Sequence, residues 1–262
     1  MSADDRDTGE RGADGRPTGE WRDMELSELV HAVVRSPNFN ERKLPVSMLV
    51  LHYTQMKPIE AALGKMTNPD VEVSAHYLIS EEGVVTQLVS EEKRAWHAGR
   101  SFWRGTKDVN SASIGIELDH PGHDEANGGY RAFSDAQIDA LVPLMARIVK
   151  DYDIPRANVV GHSDVAPLRK LDPGELFPWD RLAQYGLCLP RPTKIEPVDP
   201  WHNEGAFILG LERYGYDITE GRKAIEAFER RWRPERITGK PDAQLGAILW
   251  HLLLERDRGN TR

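Results

Sequence analysis

One cysteine, Cys188, stands in the whole chain. That excludes an intrachain disulfide and any cysteine-rich zinc site. No apolar run reaches the length that spans a bilayer. A basic surface is missing too, because the formal net charge is −8. Neutralising phosphates takes an excess of lysine and arginine, so a dedicated nucleic-acid binder is excluded. The first residues are polar and glycine-rich, and Trp21 is the first large aromatic. No basic end followed by an apolar core opens the chain, so its start does not read as a secretory signal. A cytoplasmic location is the expectation. A chain whose signal had been removed would read the same way and belong in the periplasm. Residues 1–22 are expected to form a disordered tail.

What is present can build a full core. The chain has 262 residues, 39% hydrophobic and 29% charged, which suits a globular protein of one or two domains. Trp21–Pro37 carries short apolar patches but no clear element. Val46–Thr54 is a nearly continuous apolar run ending in His52-Tyr53-Thr54, the pattern of a strand buried on both faces. Pro58–Lys65 reads as a short helix with proline in its first turn. Ala75–Ile79 and Val84–Val89 flank Glu81-Glu82-Gly83 as a hairpin. Ser113–Leu118 is a further strand with Glu117 near its end. Ser134 caps a long helix to about Tyr152, in which Pro143 is expected to make a local break. Asn158–Val160 is a last short strand, and Asp180–Tyr185 a helix. Strands mixed with helices predict an α/β (α+β) domain over 23–187, with a central mixed sheet flanked by helices. Residues 188–203 are proline-rich and read as a linker. Beyond them, Glu204–Tyr214, Glu220–Trp232 and Asp242–Leu254 have helical spacing, which predicts a small three-helix domain over 204–257.

The densest polar stretch is Val159–Trp179, VVGHSDVAPLRKLDPGELFPW. It is either a site of chemistry or a surface loop with a turn at Asp172-Pro173-Gly174. His52 ends one strand, His162 follows another, and Asp172 lies ten positions on. Two imidazoles and a carboxylate suffice for a catalytic zinc ion, which takes three protein ligands and a water. A strand-end histidine is also often structural, and the spacing is not HExxH. Hydrolysis at such a site needs a base, for which Glu117 is the candidate, and a cation for the oxyanion, for which Lys170 is the candidate.

LVLHYT, AWHAG, SIGIEL and the Val159–Trp179 loop, in that order, together resemble the zinc-dependent N-acetylmuramoyl-L-alanine amidases of the AmpD type. That fold is shared with phage amidases and animal peptidoglycan-recognition proteins. The resemblance spans about Leu44–Tyr185. It implies Zn2+ on His52, His162 and Asp172, an acidic catalytic residue at Glu117 and an oxyanion-binding lysine at Lys170. It implies cleavage of the amide between N-acetylmuramic acid, or its 1,6-anhydro form, and L-alanine of the stem peptide, in cell-wall recycling or remodelling. Members that only bind peptidoglycan have typically lost zinc ligands, and this sequence keeps all three; a non-catalytic recognition protein is the alternative. GLERYGYDIT, AIEAFERRWRP and ILWHLL resemble the small three-helix peptidoglycan-binding domain often attached to such enzymes. The implied partners are anhydro-muropeptides or polymeric peptidoglycan, and a monomer is expected.

Other residues carry paired readings. Trp96 and His97 sit in an aromatic loop similar to the family's substrate cleft, although core packing suits Trp96 equally. Asn110 is a peptide-binding candidate or a turn residue. Arg169 can pair with a substrate carboxylate or with Glu175. Asp164 can orient His162 or close an Asx turn. His76 reads as buried and hydrogen-bonded. His120, His123 and Asp124 read as a polar loop rather than a second metal site. Arg230, Arg231 and Arg233 read as a solvated helix face.

Overall fold

The structure, a computed structural model, describes residues 25–193, 195 and 200–258. The tail expected over 1–22 lies outside them, as does part of the proline-rich connection. In chain order the elements are α1 (Leu26–Leu29), β1 (Ala32–Val33), β2 (Phe39–Glu41), β3 (Met48–Tyr53), α2 (Ile59–Thr67), β4 (Tyr77–Ile79), β5 (Val85–Gln87), β6 (Lys93–Ala95), α3 (Val109–Ala112), β7 (Ser113–Leu118), α4 (Asp135–Asp151), β8 (Val159–Gly161), α5 (His162–Val165), α6 (Trp179–Gln184), α7 (Glu204–Tyr214), α8 (Gly221–Trp232) and α9 (Ala243–Asp257).

Six strands form one sheet in the order β1-β5-β4-β7-β3-β8. All pairs are parallel except the β4–β5 hairpin, whose register sets Tyr77 against Gln87. Every residue of β3 is buried, as its unbroken apolar run requires. Side chains alternate between the two faces of a strand. Leu49, Leu51 and Tyr53 accordingly join a core with Ile138, Leu141, Met145 and Ile148 of α4. Met48 and Val50 face the other way, into a core with Trp103, Val160 and Val165. A third cluster packs Ala62 and Met66 of α2 on Leu78 and Leu88.

Three expectations change. α4 runs unbroken through Pro143. An interior proline costs a helix about 3 kcal/mol, and one buried leucine or isoleucine returns about 1.5–3 kcal/mol; α4 buries Ile138, Leu141, Leu144 and Ile148 among others. Residues 23–37, with no element expected, supply α1 and β1; such short pieces are fixed by pairing, here Ala32 with Thr86. The C-terminal helices are no self-contained unit. Phe207, Tyr214, Tyr216, Phe228 and Trp232 belong to the same core as Met48 and Val50.

α8 shows why its arginines are not a solvated face. It packs against both α7 and α5, and eight of its residues from Ala224 to Trp232 are buried. Arg231 stacks on the Trp179 ring at 3.6 Å. Arg233 is fully buried and pairs with Glu229 and Asp242, both at 2.6 Å. Arg230 lies 3.6 Å from Glu175. A helix buried on both sides cannot be sorted into inner and outer faces by charge alone.

Candidate metal centre

Parallel pairing of β3 with β7 sets His52 beside Glu117 at the carboxyl ends of the two strands. β8 flanks β3 on its other side, pairing Gly161 with Leu51, so His162 leaves the sheet next to His52. Crevices at the carboxyl ends of parallel strands are where α/β folds bind ligands. Asp172 returns along the loop, with its carbonyl accepting from the Ser163 N–H at 2.8 Å. The following turn is clamped by Tyr130, whose hydroxyl donates to the Pro173 carbonyl and accepts from the Leu176 N–H, both at 2.9 Å. Gly174 has φ +88°, and a Cβ there would meet the Tyr130 hydroxyl. Asp172-Pro173-Gly174 is therefore a turn that aims a carboxylate.

His52 Nδ1, His162 Nδ1 and Asp172 Oδ2 form a triangle with edges of 2.9, 2.9 and 3.0 Å. All three residues are buried, and they are the one such group of potential ligands among the described residues. Tetrahedral bonds of about 2.0–2.1 Å place ligand atoms about 3.3 Å apart, close to these edges. The donor chemistry fits as well. His162 Nε2 lies 3.2 Å from the Ala98 carbonyl, which only accepts, so Nε2 carries the hydrogen and Nδ1 presents its lone pair in the neutral ring. Burial, then the neighbouring His162, pushes the His52 pKa down to about 4 against the pull of Asp172, so its ring is neutral at pH 7. Burial alone would raise the Asp172 pKa, but the two imidazoles outweigh it and hold the carboxyl well below its usual range. Two imidazoles and a carboxylate converging at these distances are the ligand set for a divalent cation.

Glu117 and Lys170 line the same cavity of about 300 Å³ as His162 and Asp172. Glu117 Oε2 is enclosed and has no hydrogen-bond partner among the described residues. Burial, aided by Asp172, pushes the Glu117 carboxyl up to about 8, with Lys170 and Lys65 pulling the other way. Lys65, Met56, Ala62 and Met66 complete one wall. Their pattern in the sequence does not mark them, because Lys65, Ala62 and Met66 look like any turn of an amphipathic helix and Met56 like the loop before it. If ionised Glu117 is required for turnover, losing the Lys65 charge favours its protonated form. Lys65→Met is thus expected to move the acidic limb of the kcat/KM profile upward by a few tenths of a pH unit, about the scale of a screened charge at a cavity edge. A limb that stays put or moves down would rule this out.

Residues 42–175 match the family described as N-acetylmuramoyl-L-alanine amidase. Over 234 residues the sequence is 38% identical to the N-acetylmuramoyl-L-alanine amidase AmiD of Escherichia coli (strain K12), covering 79% of this chain and 82% of AmiD. The chain belongs to the N-acetylmuramoyl-L-alanine amidase family. This amidase is also 37% identical over 168 residues to the 1,6-anhydro-N-acetylmuramyl-L-alanine amidase AmpD of Haemophilus influenzae, covering 56% of this chain and 88% of AmpD. Among solved structures it resembles E. coli AmiD in complex with anhydro-N-acetylmuramic acid-L-Ala-D-gamma-Glu-L-Lys. The TM-score is 0.70 at 35% identity, covering 84% of this chain and 98% of that one. AmpDh3 of Pseudomonas aeruginosa in complex with anhydromuramic pentapeptide follows at 0.68 and 31%, covering 80% and 92%.

The amidase places the four substrate-binding candidates unevenly. Only His97 reaches the cavity, where it is buried with Nδ1 3.0 Å from His52 Nε2. Asn110 lies beneath the loop, its side-chain oxygen accepting from the N–H groups of His97 (3.0 Å) and Ala98 (2.6 Å). Arg169 directs its guanidinium at the carbonyls of Ala98 and Arg100, the latter at 2.8 Å, and lines a different cavity from the one that His162 and Asp172 border. Trp96 sits outside the cavity lining, with Nε1 3.3 Å from Asn40 Oδ1. These three hold the loop that carries His97; a polar side chain in a loop motif looks the same whether it faces ligand or backbone.

Asp164 does not touch His162. It accepts from the Gly161 N–H at 2.8 Å and the Tyr216 hydroxyl at 2.6 Å, so it caps α5 and ties it to the C-terminal helices. His76 is buried as expected, donating to the Lys93 carbonyl at 3.1 Å and accepting from the Gly115 N–H at 3.0 Å. His123 bridges the Tyr53 hydroxyl (2.8 Å) and Glu175 (3.1 Å), while His120 donates to the Arg131 carbonyl at 2.9 Å. They share no cation site.

Gly115 is the glycine of SIGIEL, and its role is steric. A Cβ there would lie 2.4 Å from the His97 ring. Gly115→Ala is expected to cost about 1–3 kcal/mol by overpacking, read from the urea midpoint. An unchanged midpoint would mean the ring has room to move.

Proposed function

We propose that this protein is a zinc hydrolase that cleaves the amide joining N-acetylmuramic acid, or its 1,6-anhydro form, to L-alanine of peptidoglycan stem peptides. The observation that carries the proposal is the buried His52–His162–Asp172 set with an unpartnered Glu117 oxygen and Lys170 in one cavity. The muropeptide ligands named for the AmiD and AmpDh3 complexes support the substrate class. A binding-only role would not need a complete metal-ligand set beside an enclosed carboxylate.

Zinc bound here would lower the pKa of a coordinated water to about 7 and polarise the scissile carbonyl. Glu117 takes the proton of the attacking water on its free oxygen and returns it to the alanine nitrogen as the amide breaks. Its enclosed, unpartnered oxygen borders the same cavity as the ligands, which suits both halves of that transfer. Lys170 donates to the oxygen that gains charge. His52, His162 and Asp172 hold the metal.

Incubating the zinc-loaded protein with anhydro-N-acetylmuramic acid carrying a stem peptide tests this directly. Mass spectrometry should show the free anhydro-sugar and a peptide beginning at L-alanine. A cut within the peptide would make the enzyme a peptidase instead. No cleavage at all would leave only binding.

A further inference from the structure

We infer that His97 is a positioning residue for the metal centre: its hydrogen bonds determine which nitrogen of His52 faces the cation. The inference rests on the proposed zinc site and follows from donor and acceptor bookkeeping. The Ser113 hydroxyl has one hydrogen, and it donates that hydrogen to the Val109 carbonyl at 2.6 Å. Toward His97 Nε2, 3.2 Å away, the same hydroxyl can therefore only accept. His97 Nε2 must carry a hydrogen, and in the neutral ring Nδ1 is then an acceptor. That Nδ1 lies 3.0 Å from His52 Nε2, which must donate to it. His52 is left with its lone pair on Nδ1, the atom beside His162 Nδ1 and Asp172 Oδ2.

The fold builds a slot for this relay. Gly115 has no side chain, which opens the space that the His97 ring fills against β7. Asn110 fixes the His97 backbone from below. The His52 and His97 ring centroids are 5.0 Å apart with planes at 79°, and with 3.0 Å between Nε2 and Nδ1 the two nitrogens meet across the gap with the rings turned about the bond. The sequence motif AWHAG then carries a metal-site function through a residue that is not itself one of the three ligands. The competing arrangement has His97 Nδ1 protonated and donating to His52 Nε2; His52 would then hold its own hydrogen on Nδ1 and could not ligate.

Zinc affinity, measured by competition with a chromophoric chelator, tests the relay without reference to turnover. Removing a partner of a metal-bound histidine typically costs 10–100-fold in affinity. His97→Phe is expected to weaken zinc binding by about that factor. His97→Asn, whose amide oxygen accepts from His52 regardless of any tautomer, is expected to stay within roughly 3-fold of wild type, since the accepting atom is kept. Ser113→Ala removes only the group that selects the His97 tautomer. It is expected to weaken zinc several-fold when His97 is present and to have no further effect in the His97→Asn background, a coupling that only the relay produces. The inference is overturned if Ser113→Ala costs the same in both backgrounds, or if His97→Phe binds zinc as tightly as wild type. Should His97→Phe fail to fold, the Ser113→Ala and His97→Asn pair decides alone. Cleavage of muropeptide by the same zinc-loaded wild type is scored separately, so loss of the substrate assignment and loss of the relay are distinct results.

Discussion

Glu117→Gln is expected to keep its zinc and lose turnover by about 10²–10⁴-fold, the range of a general base. Glutamine has the shape of glutamate, so the pairing of β3 and β7 and the placement of His52 should survive. What it lacks is a carboxylate oxygen able to take a proton, and Glu117 Oε2 is the enclosed, unpartnered oxygen of the site. The loss should fall on kcat, with KM little changed, because the group acts on the transferred proton rather than on substrate held at rest. Metal content by mass spectrometry and steady-state rates on anhydro-muropeptide give the two readings. Turnover within about 3-fold of wild type, far below the range of a lost general base, would remove Glu117 from the mechanism.

Asp172→Ala should do the reverse and lose the metal first. A four-ligand structural zinc site is worth about 10–16 kcal/mol, so one ligand accounts for about 3 kcal/mol, or on the order of 10²-fold in affinity. The two imidazoles would remain, but without the carboxylate between them no negative charge is left to offset a dication. Wild-type protein should gain about 2.7 kcal/mol of stability when free zinc reaches 100 times its Kd. The variant should show almost no rise in Tm at that same zinc concentration. Equal thermal shifts in the two proteins would mean that Asp172 is not a ligand.

The parts of the site legible in the sequence were those fixed by strand ends. His52, Glu117 and His162 close buried apolar runs, and a residue in that position has little choice of direction. Asp172 was legible from its place ten residues after His162 and from the family resemblance, since the Pro-Gly pair after it also reads as an ordinary surface turn. The loop residues were not legible in the same way. Trp96, Asn110 and Arg169 have polar atoms that serve backbone and ligand alike, and only coordinates show that backbone took them. Lys65 was hidden by the reverse effect, an ordinary helical lysine whose helix borders the cavity. The same limit applies to α8, where Arg231 and Arg233 carry charge into a core that supplies Trp179 and Glu229 as partners.

The core shared between the sheet and α7–α9 bears on how this chain can be divided or recombined. A small C-terminal helical module is commonly thought of as cargo, exchangeable at its linker. Here the Arg104 N–H donates to the Gly215 carbonyl at 3.0 Å, and Tyr216 holds Asp164 two positions from His162. A graft that replaced everything after the connection would uncover Trp103 and Val165 and release the helix that begins with His162. The seam for a working chimera is therefore not the proline-rich stretch. It lies on the outer surface of α7 and α9, so that Tyr216, Phe228 and Arg231 keep their places against the catalytic half.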